Sequence, residues 1–342
     1  MNSEERIIKT LLHEETDRVP IFEWIIDKKV LEVISPGKTI DEFVYLMDLD
    51  AICVDLDYKE VEIESGTYRD EWGIIKKYNL EEHSYPMSGP INNLNDLKKY
   101  EPPDPIVSDR YRTLDEKLKK HSGKKAVILH LNDVFSTPLR LLGFESMLRL
   151  FYDEPELVHG VIEISKSINL EMAKQAKKRG VKIIYTADDY AFKMGPLLTP
   201  NQFKEFLFKP MCDLIKGFKE LGLYVIKHTD GDIMSLIEMI IDTGIDCLDP
   251  IDPSAGMSLE YIKKTYGSRI AIKGNVNCAT TLQFGTVEEV IKETKLCLEI
   301  GSPGGGYILS SSNSIHSGVK PENFKAMIET HKKYGYYKNR II

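Results

Sequence analysis

Short apolar, β-branched segments recur along the chain at Val19–Trp24, Ala51–Leu56, Ala126–Leu131, Val181–Thr186, Leu223–Lys227, Ile245–Leu248, Ile270–Lys273 and Tyr307–Leu309. Between most of them lie stretches whose apolar residues fall three and four apart: Glu156–Arg179, Pro200–Leu221, Ile233–Gly244, Leu259–Gly267 and Val287–Gly301. The first pattern is that of strands buried on both faces, the second that of helices with one buried stripe. Gly180, Gly222, Gly244, Gly267 and Gly301 stand where these helices would end, and glycine's tolerance of left-handed backbone suits a helix C-cap. Strand and helix alternating in this way predict an α/β fold, a (β/α)8 TIM barrel. An open doubly wound sheet is the weaker fit, because no Gly-x-Gly-x-x-Gly follows the first strand.

The alternation breaks between residues 59 and 125. Here the chain alternates around Ser65-Gly66 as a hairpin would, and Pro86, Pro90, Pro102, Pro103 and Pro105 punctuate the residues beyond it. The expectation is one domain over residues 1–342, with 59–125 an insertion after the second strand that can form part of a lid. The charged segment Ser3–His13 and the lysine-rich tail after Lys332 read as solvated ends. The glycine-rich start of Gly301–Ser314 precedes the last strand instead of following it, which marks a helix-to-strand turn more than a phosphate loop.

Composition narrows the class. A chain of 342 residues with 42% apolar and 29% charged positions has the make-up of a globular enzyme the size of one large barrel. No run of 18 apolar residues occurs and the N-terminus lacks a signal-peptide pattern, so a cytoplasmic protein without a membrane role is expected. A net charge of −8 with no basic stripe argues against nucleic acid. The five cysteines are scattered without a Cys-x-x-Cys, which speaks against a disulfide framework or a zinc ribbon.

Polar residues close nearly every strand. They include Glu23, Asp55, Asp57, His130, Asn132, Asp133, Asp188, Asp189, His228, Asp230, Asp249, Lys273 and Asn313. In parallel barrels the C-terminal strand ends carry the active site, and several carboxylates at one mouth repel each other unless a cation or shared proton relieves them. Residues two apart on a strand share a face, so His228 and Asp230 in Ile226–Asp232 (IKHTDGD) converge and are the best metal ligands. Asp249-Pro250 reads as a turn and Asp232 as a helix cap; one of Asp188 and Asp189 could equally be a cap, and His130 a core histidine.

Several stretches resemble the uroporphyrinogen decarboxylase superfamily: Arg18–Phe22 (RVPIF), Tyr68–Gly73 (YRDEWG), Asp188-Asp189 with Gly195-Pro196-Leu197 and Pro200, the HTDGD stretch, Asp249–Gly256 and Gly304–Leu309. The resemblance covers nearly the whole chain and implies the barrel fold. Decarboxylases of that superfamily carry an arginine-rich motif after the first strand; here Glu23–Lys28 (EWIIDK) has no arginine, so porphyrinogen decarboxylation is not expected. The chain is more similar to the corrinoid-dependent methyltransferase branch, whose coenzyme M members bind zinc through His-x-Cys and a later cysteine. Here Asp230 and Asn313 stand in the cysteine positions. Oxygen ligands leave a metal a harder Lewis acid, suited to an oxygen substrate.

The resemblance therefore implies an O-demethylase component that moves methyl from a methoxylated aromatic compound to Co(I) of a separate corrinoid protein. It implies a divalent metal, zinc, on His228, Asp230 and Asn313, with Glu23, Asp188 and Asp189 as catalytic candidates. Trp24, Tyr58, His130, Asn132 and Tyr190 are candidate substrate contacts, with Phe22, Phe135 and Phe192 as further aromatics. Alternatives on the same scaffold are a metal-dependent decarboxylase or lyase of a small acid, a methylcobamide-dependent methyltransferase with another acceptor, or a non-catalytic binding homologue. A homodimer stays open.

Overall fold

The computed structural model describes residues 1–79 and 84–337. Its strands are β1 (Ala51–Val54), β2 (Glu60–Glu64), β3 (Thr67–Asp70), β4 (Ile75–Tyr78), β5 (Ser84–Ser88), β6 (Ala126–Leu131), β7 (Ile183–Ala187), β8 (Ala191–Phe192), β9 (Gly195–Pro196), β10 (Tyr224–His228), β11 (Cys247–Asp249), β12 (Ala271–Val276) and β13 (Tyr307–Ser311). Seven of them form one parallel sheet in the order β1-β6-β7-β10-β11-β12-β13. Pro20–Phe22 joins the two edges. Leu309 N–H donates to the Pro20 carbonyl at 2.9 Å and Phe22 N–H to the Leu309 carbonyl at 3.2 Å, while Asp50 N–H reaches the Ile21 carbonyl at 2.8 Å.

This segment, expected as a strand over Val19–Trp24, is reduced to an isolated bridge. Proline has no N–H, and the Ile21 N–H is taken by the Asp50 carboxylate at 2.9 Å, so the ladder cannot extend. The barrel is still closed, with Pro20–Phe22 as its eighth stave.

Alternation along the strands sorts side chains into two sets. Val127, Leu129, Ile184, Val225, Leu248, Ile272 and Leu309 pack outward with the helices in the main core. Ala51, Ala126, Ile128, Ile183, Tyr185, Ile226, Cys247, Ala271 and Ile308 fill the barrel, together with Ile7 and Leu11. The N-terminal helix Ser3–Leu11 is therefore not a solvated end. Its apolar face plugs the bottom of the barrel, where small alanines begin three strands, and Arg6 pairs with Asp50 at 2.6 Å and Asp17 at 2.7 Å.

The expected insertion is present as an antiparallel sheet, β2-β3-β4-β5, with Gly66 at the first turn. It ends earlier than residue 125, because helix Arg112–His121 packs back on the barrel through Leu114 and Leu118. Two contacts fix the sheet. Arg110 grips Glu71 with two hydrogen bonds of 2.6 and 2.7 Å. Gly89 lies against the helix Ser136–Leu142 so closely that a Cβ there would stand 2.0 Å from the Leu141 carbonyl oxygen.

Gly180, Gly222 and Gly244 have positive φ after their helices, but Gly267 has φ −63° and Gly301 is the last residue of its helix. The segment Ile233–Gly244 is helical only over Ile237–Asp242. Gly304, Gly305 and Gly306 all have positive φ in the turn before β13. No helix among the described residues is long and apolar enough to cross a membrane.

Candidate active site

The site grows from the period of β10. Ile226 faces into the barrel, so His228, two residues on, does so at the strand's C-terminal end, and only 2% of it is exposed. Its Nδ1 lies 2.7 Å from Asp249 Oδ2 and 3.0 Å from the Tyr185 hydroxyl. Tyr185 also bonds the same Asp249 oxygen, and Lys273 Nζ donates to Asp249 Oδ1 at 2.8 Å. A buried carboxylate on Nδ1 fixes the ring and leaves Nε2 turned to the mouth. There Nε2 is 3.6 Å from Asp230 Oδ1 and 3.7 Å from Asp189 Oδ1.

Asp230 is held from both sides. Its N–H donates to Asp189 Oδ1 at 3.0 Å, and its Oδ2 accepts from Asn313 Nδ2. The other oxygen, Oδ1, is buried and has no hydrogen-bond partner. Gly231 makes the turn behind it: its φ is +84°, and a Cβ would stand 2.7 Å from the Ala191 and Phe192 carbonyl oxygens. Only glycine lets the β8–β9 hairpin lie this close.

Electrostatics concentrate on this trio. Burial opposes the charge on His228, but Asp230 and Asp249 outweigh it and push the imidazolium pKa up to about 10. Burial also opposes charge on Asp249, yet Lys273 and His228 pull it down to about 2. Asp230 is raised, by burial first and then by Asp189 and Asp252, with His228 acting against them.

One ligand atom each from Asp189, His228 and Asp230 lies within 4.8 Å of the others. Tetrahedral metal sites with ligands at ~2.0–2.2 Å have donor–donor edges of roughly 3.3–3.6 Å. The distances of 3.6 and 3.7 Å about Nε2 lie at and just beyond the long end of that range. Two carboxylates, one of them presenting an orphaned buried oxygen, and one imidazole nitrogen thus fit a divalent cation.

The other residues singled out in the sequence divide between this cluster and the surrounding frame. Asp189, expected as catalytic, joins His228 and Asp230, whereas Asn313, expected as a ligand, orients Asp230 through its amide N–H. Trp24 lies 5.0 Å, ring to ring, from both His228 and His130 and 5.1 Å from Tyr185. His130 Nδ1 is 2.6 Å from Asp55, and its Nε2 is buried without a partner. Glu23 is brought into the interior but is engaged. Its two oxygens accept from Ser311 N and Oγ, each at 2.7 Å, and burial raises its pKa to about 7 against the pull of Lys273.

Four expected site residues lie elsewhere. Asp188 is fully buried and accepts from Phe135 N at 2.7 Å and Ser136 N at 2.8 Å, capping the helix Ser136–Leu142 from a neighbouring strand. Tyr190 is buried with its hydroxyl on Asp133 at 2.7 Å, and Asn132 bonds Thr137 at 3.1 Å. Tyr58 packs under Arg110 on the frame, 5.0 Å from the guanidinium to the ring. Asp188, Tyr190 and Tyr58 continue the outward-facing positions of their strands, which strand-end proximity alone did not separate from inward ones.

Sequence reasoning missed Tyr185 and gave no role to Lys273 or Asp249, although it placed both of these at strand ends. Asp249 reads as a turn beside Pro250, but the period of β11 places it on the inward face with Cys247.

Two cavities flank the Asp189–Leu197 segment. One of about 440 Å³ is lined by Asp189, Asp230, Cys278, Ser312, Asn313 and His316, among others. The second, about 630 Å³, lies between β5 and the helices that begin at Ser136 and Phe144. Both share Asp189, Phe192 and Leu197 as walls.

Known proteins share this architecture. The profile of the uroporphyrinogen decarboxylase (URO-D) family matches residues 75–334. A methylated-thiol–coenzyme M methyltransferase of Methanosarcina mazei is 25% identical over 220 residues, 64% of this chain and 56% of that protein. A uroporphyrinogen decarboxylase of Hydrogenovibrio crunogenus is 23% identical over 56% of this chain and 53% of its own length. A methylcobamide:CoM methyltransferase of Methanosarcina barkeri is 24% identical over 57% of this chain and 54% of its own. The chain thus spans just over half the length of these curated relatives. A solved methyltransferase from Methanosarcina mazei superposes with a TM-score of 0.77 at 18% identity, covering 98% of this chain and 99% of that one, which supports the barrel fold.

Proposed function

The chain belongs to the uroporphyrinogen decarboxylase (URO-D) family, and on that footing we propose that it moves a methyl group from an O-methyl donor, a methoxylated aromatic compound, to the Co(I) corrinoid of a separate protein. Similarity to a methylcobamide:CoM methyltransferase and a methylated-thiol methyltransferase supports the methyl transfer. The oxygen donor is argued from the site. Its carrying observation is the unpartnered, buried Asp230 Oδ1 set beside His228 Nε2 and Asp189 Oδ1.

In the reaction the methyl–oxygen bond breaks with both electrons left on oxygen, and the Co(I) pair forms the new bond to carbon. An aryl oxide leaves poorly, so its developing charge must be met by a cation or a proton. A divalent metal, zinc being the reference case, would supply Lewis-acid polarisation when held by His228, Asp230 and Asp189. The chain's own residues prepare that place: Asp249 and Tyr185 fix the His228 ring, and Asn313 aims Asp230. The Trp24 indole, 5.0 Å from the His228 ring, offers an aromatic face at the mouth.

One observation favours a second route to the same outcome. An imidazolium with a pKa of about 10 is matched to a phenolic leaving group, so His228 could itself deliver the proton from Nε2.

Two measurements test these readings. With reduced corrinoid protein and a panel of methoxyarenes, the Co(I) spectrum should convert to that of methyl-Co(III); no conversion with any of them would sink the O-demethylase assignment. Elemental analysis should find about one divalent metal per wild-type chain and a several-fold lower content in His228→Ala. Active protein free of metal would instead select His228 as the acid.

A further inference from the structure

The larger cavity contains a charge that the site described so far does not use. Met87, Leu139, Leu142, Phe144, Phe192 and Leu197 give it broad apolar walls, and Asp189 stands where it meets the cation site. Among the residues lining it, Arg140 is the single lysine or arginine. No ion pair or hydrogen bond satisfies its guanidinium among the described residues. Glu145 lies on the same cavity wall and makes no ion pair with it, and Arg140 favours the charge of Asp70 without forming an ion pair with it.

The backbone that carries this exposed arginine is well fixed. Gly89 presses β5 against the backbone of Arg140 and Leu141, where any Cβ would stand 2.4 Å from the Arg140 carbonyl oxygen. Asp188 caps the other end of the same helix through the Phe135 and Ser136 N–H groups. Ser136 and Ser146, also in the lining, have hydroxyls with no protein partner among the described residues. A planar fork of donors, two free hydroxyls and apolar walls together suit a carboxylate attached to a ring.

We propose that this cavity seats the methyl donor and that Arg140 determines its specificity by holding an anionic group, a carboxylate, while the methyl ether points toward Asp189. The inference rests on the methyl-transfer reading above and adds the substrate's charge to it. Glu145 and Asp189 also line the cavity, so the anion must lie at its Arg140 end; a cationic group would be repelled there, and a neutral one would leave the guanidinium unused.

Binding titrations by calorimetry separate this inference from the reaction it serves. Benzoate and 4-methoxybenzoate are compared with benzamide, 4-methoxybenzamide and 4-methoxybenzylamine, which keep the ring and change the charge. Wild type should bind each carboxylate roughly tenfold tighter than its amide. Arg140→Gln should abolish that preference, and Arg140→Lys should restore part of it. Equal affinities for acid and amide, no binding of any probe, tighter binding of the amine, or a carboxylate preference that survives in Arg140→Gln would each overturn the proposal. Carboxylate preference without methyl transfer from 4-methoxybenzoate would leave the anion subsite standing and count against the O-demethylation reading alone.

Discussion

At position 230 the proposed methyl transfer turns on an oxygen ligand in place of sulfur, and one substitution probes it. Asp230 Oδ1 is buried, has no hydrogen-bond partner and lies 3.6 Å from His228 Nε2. In Asp230→Cys the thiolate should enter the same space and keep the cation bound, while softening it toward an ether oxygen. Metal-edge X-ray absorption should then show a metal–sulfur distance near ~2.3 Å, and demethylation should fall roughly 10- to 100-fold. A metal-loaded, folded variant without that distance would remove position 230 from the ligand set. His228 and Asp230 were legible in the sequence because a two-residue period on a strand end is a local rule. Asp249 was not: its partners His228, Tyr185 and Lys273 come from three other strands, and no local pattern announces that they converge.

Elements meet at the mouth through a buried charge cluster on the outer side of the same strands. Lys227 points outward where His228 points in, and its ammonium is 2.7 Å from Asp133 and 2.8 Å from the Asp188 carbonyl. Asp133 follows β6, Asp188 follows β7 and Lys227 belongs to β10, so one cation joins three neighbouring strand ends. Burial and the adjoining Asp188 raise the Asp133 carboxyl to about 8, which keeps one proton between the two carboxylates. Lys227→Met should cost about 3–5 kcal/mol, since it strands buried acids without their cation, and adding Asp133→Asn should recover part of the loss. Urea unfolding midpoints measure both; a loss under about 1 kcal/mol for the single variant would show that water or rearrangement replaces the ammonium. The sequence displayed the strand and helix periods but not this cluster, because a lysine in an apolar strand looks the same whether its head group reaches solvent or a buried acid. The N-terminal helix misled for a related reason: its charged residues are conspicuous, while Ile7 and Leu11, which plug the barrel, are few.

For the whole molecule, barrel closure depends on how the chain's two ends meet. The eight-stave pattern was legible from alternation, but the weakness of the first stave was not, since it follows from Pro20 and from Asp50 competing for the Ile21 N–H. Support comes from the C-terminal helix Pro321–Tyr334. Its His331 Nε2 lies 2.6 Å from the Val19 carbonyl, and Gly335 accepts the Val19 N–H at 2.9 Å. Burial and the nearby Arg18 lower the His331 pKa from 6.5 to about 4, although the Val19 carbonyl and Asp50 favour its charge. Folding therefore favours the neutral ring. Its contribution is fully present above the unfolded value of 6.5 and is lost progressively as pH falls to about 4, below which the folded protein takes up the proton as well. The difference between the two values corresponds to about 3 kcal/mol. Wild type should thus lose that much more stability than His331→Gln between pH 6.5 and 4, because glutamine can still donate to Val19 and does not titrate. Chemical denaturation at a series of pH values gives the two curves. If they ran parallel across that window, protonation of His331 would not be the event that opens the seam between the chain's ends.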